Sequence, residues 1–311
     1  MSIINPTLDQ TKVKLGITPT SWWNDDFIDI DIGITFGECV SEMAYAGFHG
    51  CSIGHKYPKD PVQLKKELDI RGLQASEPWT STYFTINGMK RQTISSFKQS
   101  LDFIKALGGT DMVIAELGRA VHPLPVALFD NRPVFTDSQW NDLISGITEL
   151  GEIANGEGMR LCYHPHMGTG VMIESEVDRL MEMTDPSKVH LLFDTGHLQF
   201  AGADPLRVAT RYGSRIKHIH LKNVRQSVID DAHTKGYSFR QAIEGEPNKL
   251  GVFTVPGDPE GTIDMPPILT ELAKANFEGW LVVEAEQDPA KAWPLKYAKM
   301  ARQYLSDTLG W

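Results

Sequence analysis

Six apolar runs in this chain stop on acid or imidazole. "VHLLFDTGH" ends in Asp194 and His197, "MRLCYHPH" in His164 and His166, and "IKHIHLKN" carries His218, His220 and Lys222. "WLVVEAEQ" carries Glu284 and Glu286, "LQASEPW" Glu77, and "DMVIAELG" Glu116. A charge behind a buried strand is costly unless it is solvated, paired or bound to a metal. Imidazole and carboxylate together suit a borderline divalent ion such as Mn2+, Co2+, Fe2+ or Zn2+. Ca2+ and Mg2+ suit the set less well, because they prefer oxygen. Side-chain alternation sorts the donors. His218 and His220 share a face, and His220 lies nearer the strand end. Glu284 directly follows "LVV", which leaves Glu286 as an outer or substrate-facing group. His164 directly follows "LCY", with His166 two residues further on. Asp194 has a second reading, as the cap of the turn that follows it.

These residues need elements that bring them to one place. Short apolar runs at 13–19, 48–54, 73–79, 111–118, 159–166, 188–193, 216–223 and 280–287 read as strands. Longer amphipathic runs between them read as helices, for example 90–109, with Ile94, Phe97, Leu101, Ile104 and Leu107 on one stripe. Eight strand–helix units without a linker predict a (β/α)8 TIM barrel over 1–311 as one domain, with all strand carboxyl ends on one face. An open doubly wound sheet is the competing architecture, but no Gly-x-Gly-x-x-Gly follows the first strand. A long stretch rich in polar residues, 224–264, interrupts the alternation and reads as a candidate lid, with Arg225 as its anchor.

Composition narrows the function classes. The chain has 311 residues, 41% of them apolar, and a formal charge of −10. That balance argues against a duplex nucleic-acid partner. Cys39, Cys51 and Cys162 form an odd set without metal-type spacing, which points to a reducing compartment. The start "MSIINPTLDQTKVKLGI" shows no basic-then-apolar leader, and no apolar run approaches the ~20 residues of a membrane span. The expected setting is the cytoplasm, with no membrane partner and a homo-oligomer as an open option.

The same segments resemble a known family. "YHPHMGTG", "LLFDTGH", "HIHLKNVR", "GVFTVPGDPEG" and "VVEAEQDP", with "GITPTSWWND" and "SEPW" nearer the start, are similar to the inosose dehydratases of myo-inositol catabolism. That family sits within the xylose isomerase-like TIM-barrel superfamily. The resemblance implies a lyase that removes water from scyllo-inosose (2-keto-myo-inositol) to give 3D-(3,5/4)-trihydroxycyclohexane-1,2-dione. It implies manganese or cobalt, and glutathione as a further cofactor. Related sugar epimerases hold their ion through Glu, Asp, His and Glu on strands five to eight. Those places fall here on His164, Asp194, His220 and Glu284. The departure is His164, where the epimerases have glutamate, and His166 is the alternative ligand.

A metal-stabilised enolate would need a base for the α-proton and an acid for the departing hydroxyl. Glu77, Glu116, His197, Lys222 and Glu286 are the candidates. Trp22, Trp79, His166 and Arg225 are candidates for holding a cyclic polyol ketone. The alternative activity is a divalent-metal ketose 3-epimerase or sugar isomerase, in which the proton returns and no hydroxide leaves.

Overall fold

The computed structural model describes residues 8–311; the part of the leader reading that falls on residues 1–7 lies outside them. Nine strands form one parallel sheet. They are β1 Val13–Ile17, β2 Gly50–Cys51, β3 Gln74–Ala75, β4 Trp79–Thr82, β5 Asp111–Glu116, β6 Arg160–Tyr163, β7 His190–Asp194, β8 Ile216–Leu221 and, last in the chain, β11 Gly279–Val283. Their order is β3-β2-β1-β11-β8-β7-β6-β5-β4. The third predicted strand is split: residues 76–78 separate β3 from β4, and Glu77 sits in the gap. Pro78 in that gap has no N–H to donate to a ladder. Both ends of the sheet therefore belong to one short segment, and the sheet closes as the expected (β/α)8 barrel.

Helices cover the outside for local reasons. Thr35 and Thr136 close capping boxes on the helices Phe36–Ala46 and Asp137–Gly156, and Asp60 caps the helix Pro61–Asp69, which opens on proline. The helix Lys90–Ala106 buries Thr93, Phe97, Leu101 and Ile104, close to the predicted stripe. Inside the barrel, Trp280 packs against Gly16 and Gly50. A Cβ at Gly50 would stand 2.4 Å from the indole ring, so only glycine admits it there.

The 224–264 excursion is more structured than its composition suggests. It holds the helices Gln226–Lys235 and Phe239–Glu244, and a small antiparallel pair of β9 Asn223–Val224 with β10 Phe253–Thr254. Phe239, Ile243, Val252, Phe253 and Val255 are buried. A further helix, Thr195–Phe200, starts directly at Asp194 and was not anticipated.

Candidate active site

Strand parity decides which side chains reach the barrel mouth. On β8, His218, His220 and then Lys222 alternate onto the inner face; β11 pairs Trp280 with His218 and Val282 with His220, which carries Glu284 and Glu286 inward. On β5 the inward positions are Asp111, Val113 and Leu117. Val113 and Leu117 line a cavity of about 590 Å3 that also touches Glu77, Trp79, His164, His166, His197, His220, Glu284 and Glu286.

The four donors expected to share an ion converge. His164 Nε2 lies 3.4 Å from Asp194 Oδ2, and His220 Nδ1 lies 3.6 Å from that oxygen and 2.8 Å from Glu284 Oε2. Donor atoms of His164, Asp194 and His220 all fall within 4.8 Å of one another. These four atoms are buried, and none has an aligned hydrogen-bond partner among the described residues. Those of His164, Asp194 and His220 lie close enough to share one cation, and Glu284 Oε2 stands beside His220 Nδ1. Buried polar atoms left this way need an explanation, and a shared cation supplies one. The residues present therefore fit a divalent ion.

The geometry leaves room for both readings of Asp194. Its Oδ1 accepts from the backbone N–H of His197 at 2.8 Å and caps the helix, while Oδ2 faces His164 and His220. Burial opposes its ionisation, but the Lys222 ammonium holds the carboxyl well below the usual carboxylate range. Burial likewise opposes ionisation of Glu284, yet Lys222 and His220 bring it down to about 2. Against burial, Glu284 and Asp194 push His220 well above the ordinary imidazole range. The carboxylates thus draw positive charge to this point.

Lys222 is fully buried and lies behind the cavity wall rather than on it. Its ammonium lies 2.9 Å from Glu284 Oε2, 2.8 Å from Glu286 Oε2, 3.0 Å from His197 Nε2 and 3.4 Å from Asp194 Oδ2. The contacts to His197 and Glu286 are hydrogen bonds, and those to Glu284 and Asp194 are charge contacts without that alignment. This enclosure sets Lys222, a candidate acid or base from the sequence, against the carboxylates around it rather than on the cavity lining. Burial lifts Glu286 to about 8, with the Glu284 charge adding to the push and Lys222 pulling against it.

His197 has the backbone N–H of Met167 3.3 Å from Nδ1 and the Lys222 ammonium 3.0 Å from Nε2, and a neutral ring with one lone pair accepts from only one of them. Burial, then Lys222 and His166, hold its pKa well below the ordinary value, so the ring is neutral. His166 differs. Its Nδ1 lies 2.9 Å from the Met167 carbonyl oxygen, which only accepts, so Nδ1 carries the proton and Nε2 keeps a lone pair. Trp79 stands edge-on to His164 and His166, with ring centroids 5.7 Å apart in both cases.

Three expected site residues lie elsewhere. Glu116 has the opposite parity to Val113 and Leu117. Its carboxylate accepts from Thr82 Oγ1, Thr85 Oγ1 and the N–H groups of Phe84, Thr85 and Gly118, and so ties down the 82–85 turn. Trp22 is fully buried, and its indole donates to Glu42 at 2.7 Å. Arg225 is turned into the excursion, where it donates to the carbonyls of Gly251 and Phe253 and pairs with Asp258 and Glu260. It is the anchor expected from the sequence, not a substrate contact. Three contributors were missed. Asp111 was invisible as a site residue because it opens a strand instead of ending one. Phe239 and Phe253 pack on His197 from within a segment read as polar.

A family model described as the xylose isomerase-like TIM barrel matches residues 38–307. The chain is 48% identical over 302 residues to an inosose dehydratase of Geobacillus thermodenitrificans, covering 97% of this chain and 99% of that one. It is 45% identical over 300 residues to one from Clostridium tetani, covering 96% and 98%. The chain belongs to the inosose dehydratase family. Among solved structures, a probable 3-DHS dehydratase of Bacillus anthracis superposes with a TM-score of 0.69 at 16% identity, over 94% of this chain and 98% of that one. At that identity the likeness concerns the barrel alone. Within the inosose dehydratase family, the inward acids and imidazoles of β6, β7, β8 and β11 are the natural place to look for the chemistry.

Proposed function

We propose that the protein dehydrates scyllo-inosose to 3D-(3,5/4)-trihydroxycyclohexane-1,2-dione and water, using one divalent ion held by His164, Asp194, His220 and Glu284. The observation that carries the ion site is the set of four buried donor atoms without aligned partners among the described residues. Family membership carries the substrate. Two imidazoles and two carboxylates suit Mn2+ or Co2+. Such an ion would act as a Lewis acid on the substrate carbonyl and so acidify its α C–H.

The remaining steps fall to the chain's own side chains. His166 Nε2, with its lone pair free, takes the α-proton. Glu286 uses Oε2 to accept from Lys222, which leaves Oε1 to carry a proton toward the β-hydroxyl. The C–O bond breaks, the hydroxyl leaves with that proton as water, and the resulting enol ketonises to the dione. Lys222 holds Glu286 and Glu284 in place. Trp79 offers an aromatic edge beside the ring. Phe239 and Phe253 of the 224–264 excursion exclude water behind His197. Glutathione enters only through the family; all three cysteines are buried, so its thiol meets no accessible cysteine here. No helix among the described residues is long and apolar enough to cross a membrane. Three unpaired cysteines support a cytoplasmic setting.

Appearance of dione absorbance from scyllo-inosose, with Mn2+ and Co2+ supplied in turn, tests the reading. Isomer formation without loss of water would instead assign an epimerase or isomerase. No conversion by folded protein with either ion would reject both.

A further inference from the structure

A line of buried charges crosses the barrel from its amino end to the candidate ion site. Arg160 opens β6 and grips Asp111 with two nitrogens, Nε to Oδ1 at 2.6 Å and Nη2 to Oδ2 at 2.9 Å. Asp111 opens β5 and accepts from His218 Nδ1 through Oδ2 at 2.9 Å. His218 Nε2 stands 3.2 Å from Glu77 Oε2, a charge contact without the alignment of a hydrogen bond. Glu77 Oε1 then meets His220 Nε2 at 3.1 Å. Asp111, His218, Glu77 and His220 are all buried, so water does not compete for these contacts.

The last contact has a chemical consequence. A carboxylate can only accept, so the His220 nitrogen facing Glu77 carries a proton. The other nitrogen, Nδ1, faces Glu284 and Asp194, so an ion bound among them would meet the ring at Nδ1 and displace any proton held there. The ring cannot turn over without losing Glu77. Partners that orient a ligating histidine in this way govern how well it binds.

We propose that Asp111, His218 and Glu77 form a relay that fixes the His220 ring with Nδ1 toward the ion, which makes Glu77 and Asp111 positioning residues for ion binding. This rests on the reading of His220 as a ligand. It changes the role of Glu77 from acid–base candidate to the group that sets a ligand's tautomer. It also gives Asp111, at the far end of the barrel from the mouth, a function in the site.

The test begins with the wild-type chain, labelled with 15N-histidine and loaded with Zn2+ as the probe. Long-range 1H–15N NMR, assigned to His220 through its own backbone, should show the ring proton on Nε2 and the ion on Nδ1. Zn2+ affinity by chelator competition is then measured for Glu77→Gln and Asp111→Asn, with circular dichroism and melting curves to confirm folding. Glu77→Gln should weaken the ion by about 10–100-fold. Asp111→Asn should weaken it in the same direction by less. A purely structural ion-pair network would lower melting temperature and leave the affinity of folded protein unchanged. The inference is overturned if the wild-type ring binds through Nε2, or if both folded variants bind Zn2+ within about twofold of wild type. Should either variant fail to fold, the wild-type spectrum decides. Absence of ion binding by the wild type would instead reject the ion site itself.

Discussion

Asp194 caps a helix with one oxygen and turns the other to the proposed ion site, and its variants should separate the two. Asparagine keeps an oxygen for the His197 N–H and replaces Oδ2 with an amide. Asp194→Asn should therefore fold while losing ion affinity by at least the ~10–100-fold that outer partners cost. Ion content per folded chain is the measurement; full occupancy would leave only the cap. Glu286 supports a second prediction at this scale. A group that must donate a proton is active while protonated, so turnover should be full below its pKa and fall as pH rises through about 8. Glu286→Gln should lower kcat by about 10²-fold or more and lose that alkaline limb. A variant with an unchanged pH profile would clear Glu286 of the role. Asp194, His164, His220 and Glu284 were all legible in the sequence, because each follows an apolar run with the inward parity. Glu116 was misplaced because its strand end was read and its parity was not. Trp22 was misread because an indole in a loop carries no sign of being buried on Glu42.

At the scale of elements, the close fit of the helix Thr195–Phe200 against β8 is what shields Lys222. A Cβ at Gly196 would stand 2.5 Å from Lys222 Cγ, so Gly196→Ala must shift the lysine stem. Overpacking of this kind costs about 1–3 kcal/mol, and turnover should fall with it as the ammonium moves. Gly156, at the end of a helix and facing open space, is the matched control. Gly156→Ala should stabilise by about 0.4–1 kcal/mol and leave turnover alone. Paired melts and rates check both; equal effects would mean the contact at Gly196 is soft. The eight-fold alternation of strand and helix was readable from periodicity. The split between β3 and β4 was not, because a buried glutamate beside proline looks like a strand end in one dimension. The excursion at 224–264 misled by composition, since its polar residues outnumber the few apolar ones that carry its packing.

Over the whole molecule, the barrel interior concentrates Asp194, Glu284 and Glu286 around one ammonium. A divalent ion bound there should stabilise the fold as well as the reaction. At a free ion concentration 100 times Kd the gain is about 2.7 kcal/mol, so chelation should lower the melting temperature by on the order of 5 °C. An unchanged melt after stripping would place the ion's binding energy elsewhere. The most direct test of the account is turnover of scyllo-inosose followed while metal-free protein is titrated with Mn2+ or Co2+. Dione formation should rise in proportion to bound ion and stop rising at one ion per chain. Metal-free protein that forms dione at the full rate would contradict it.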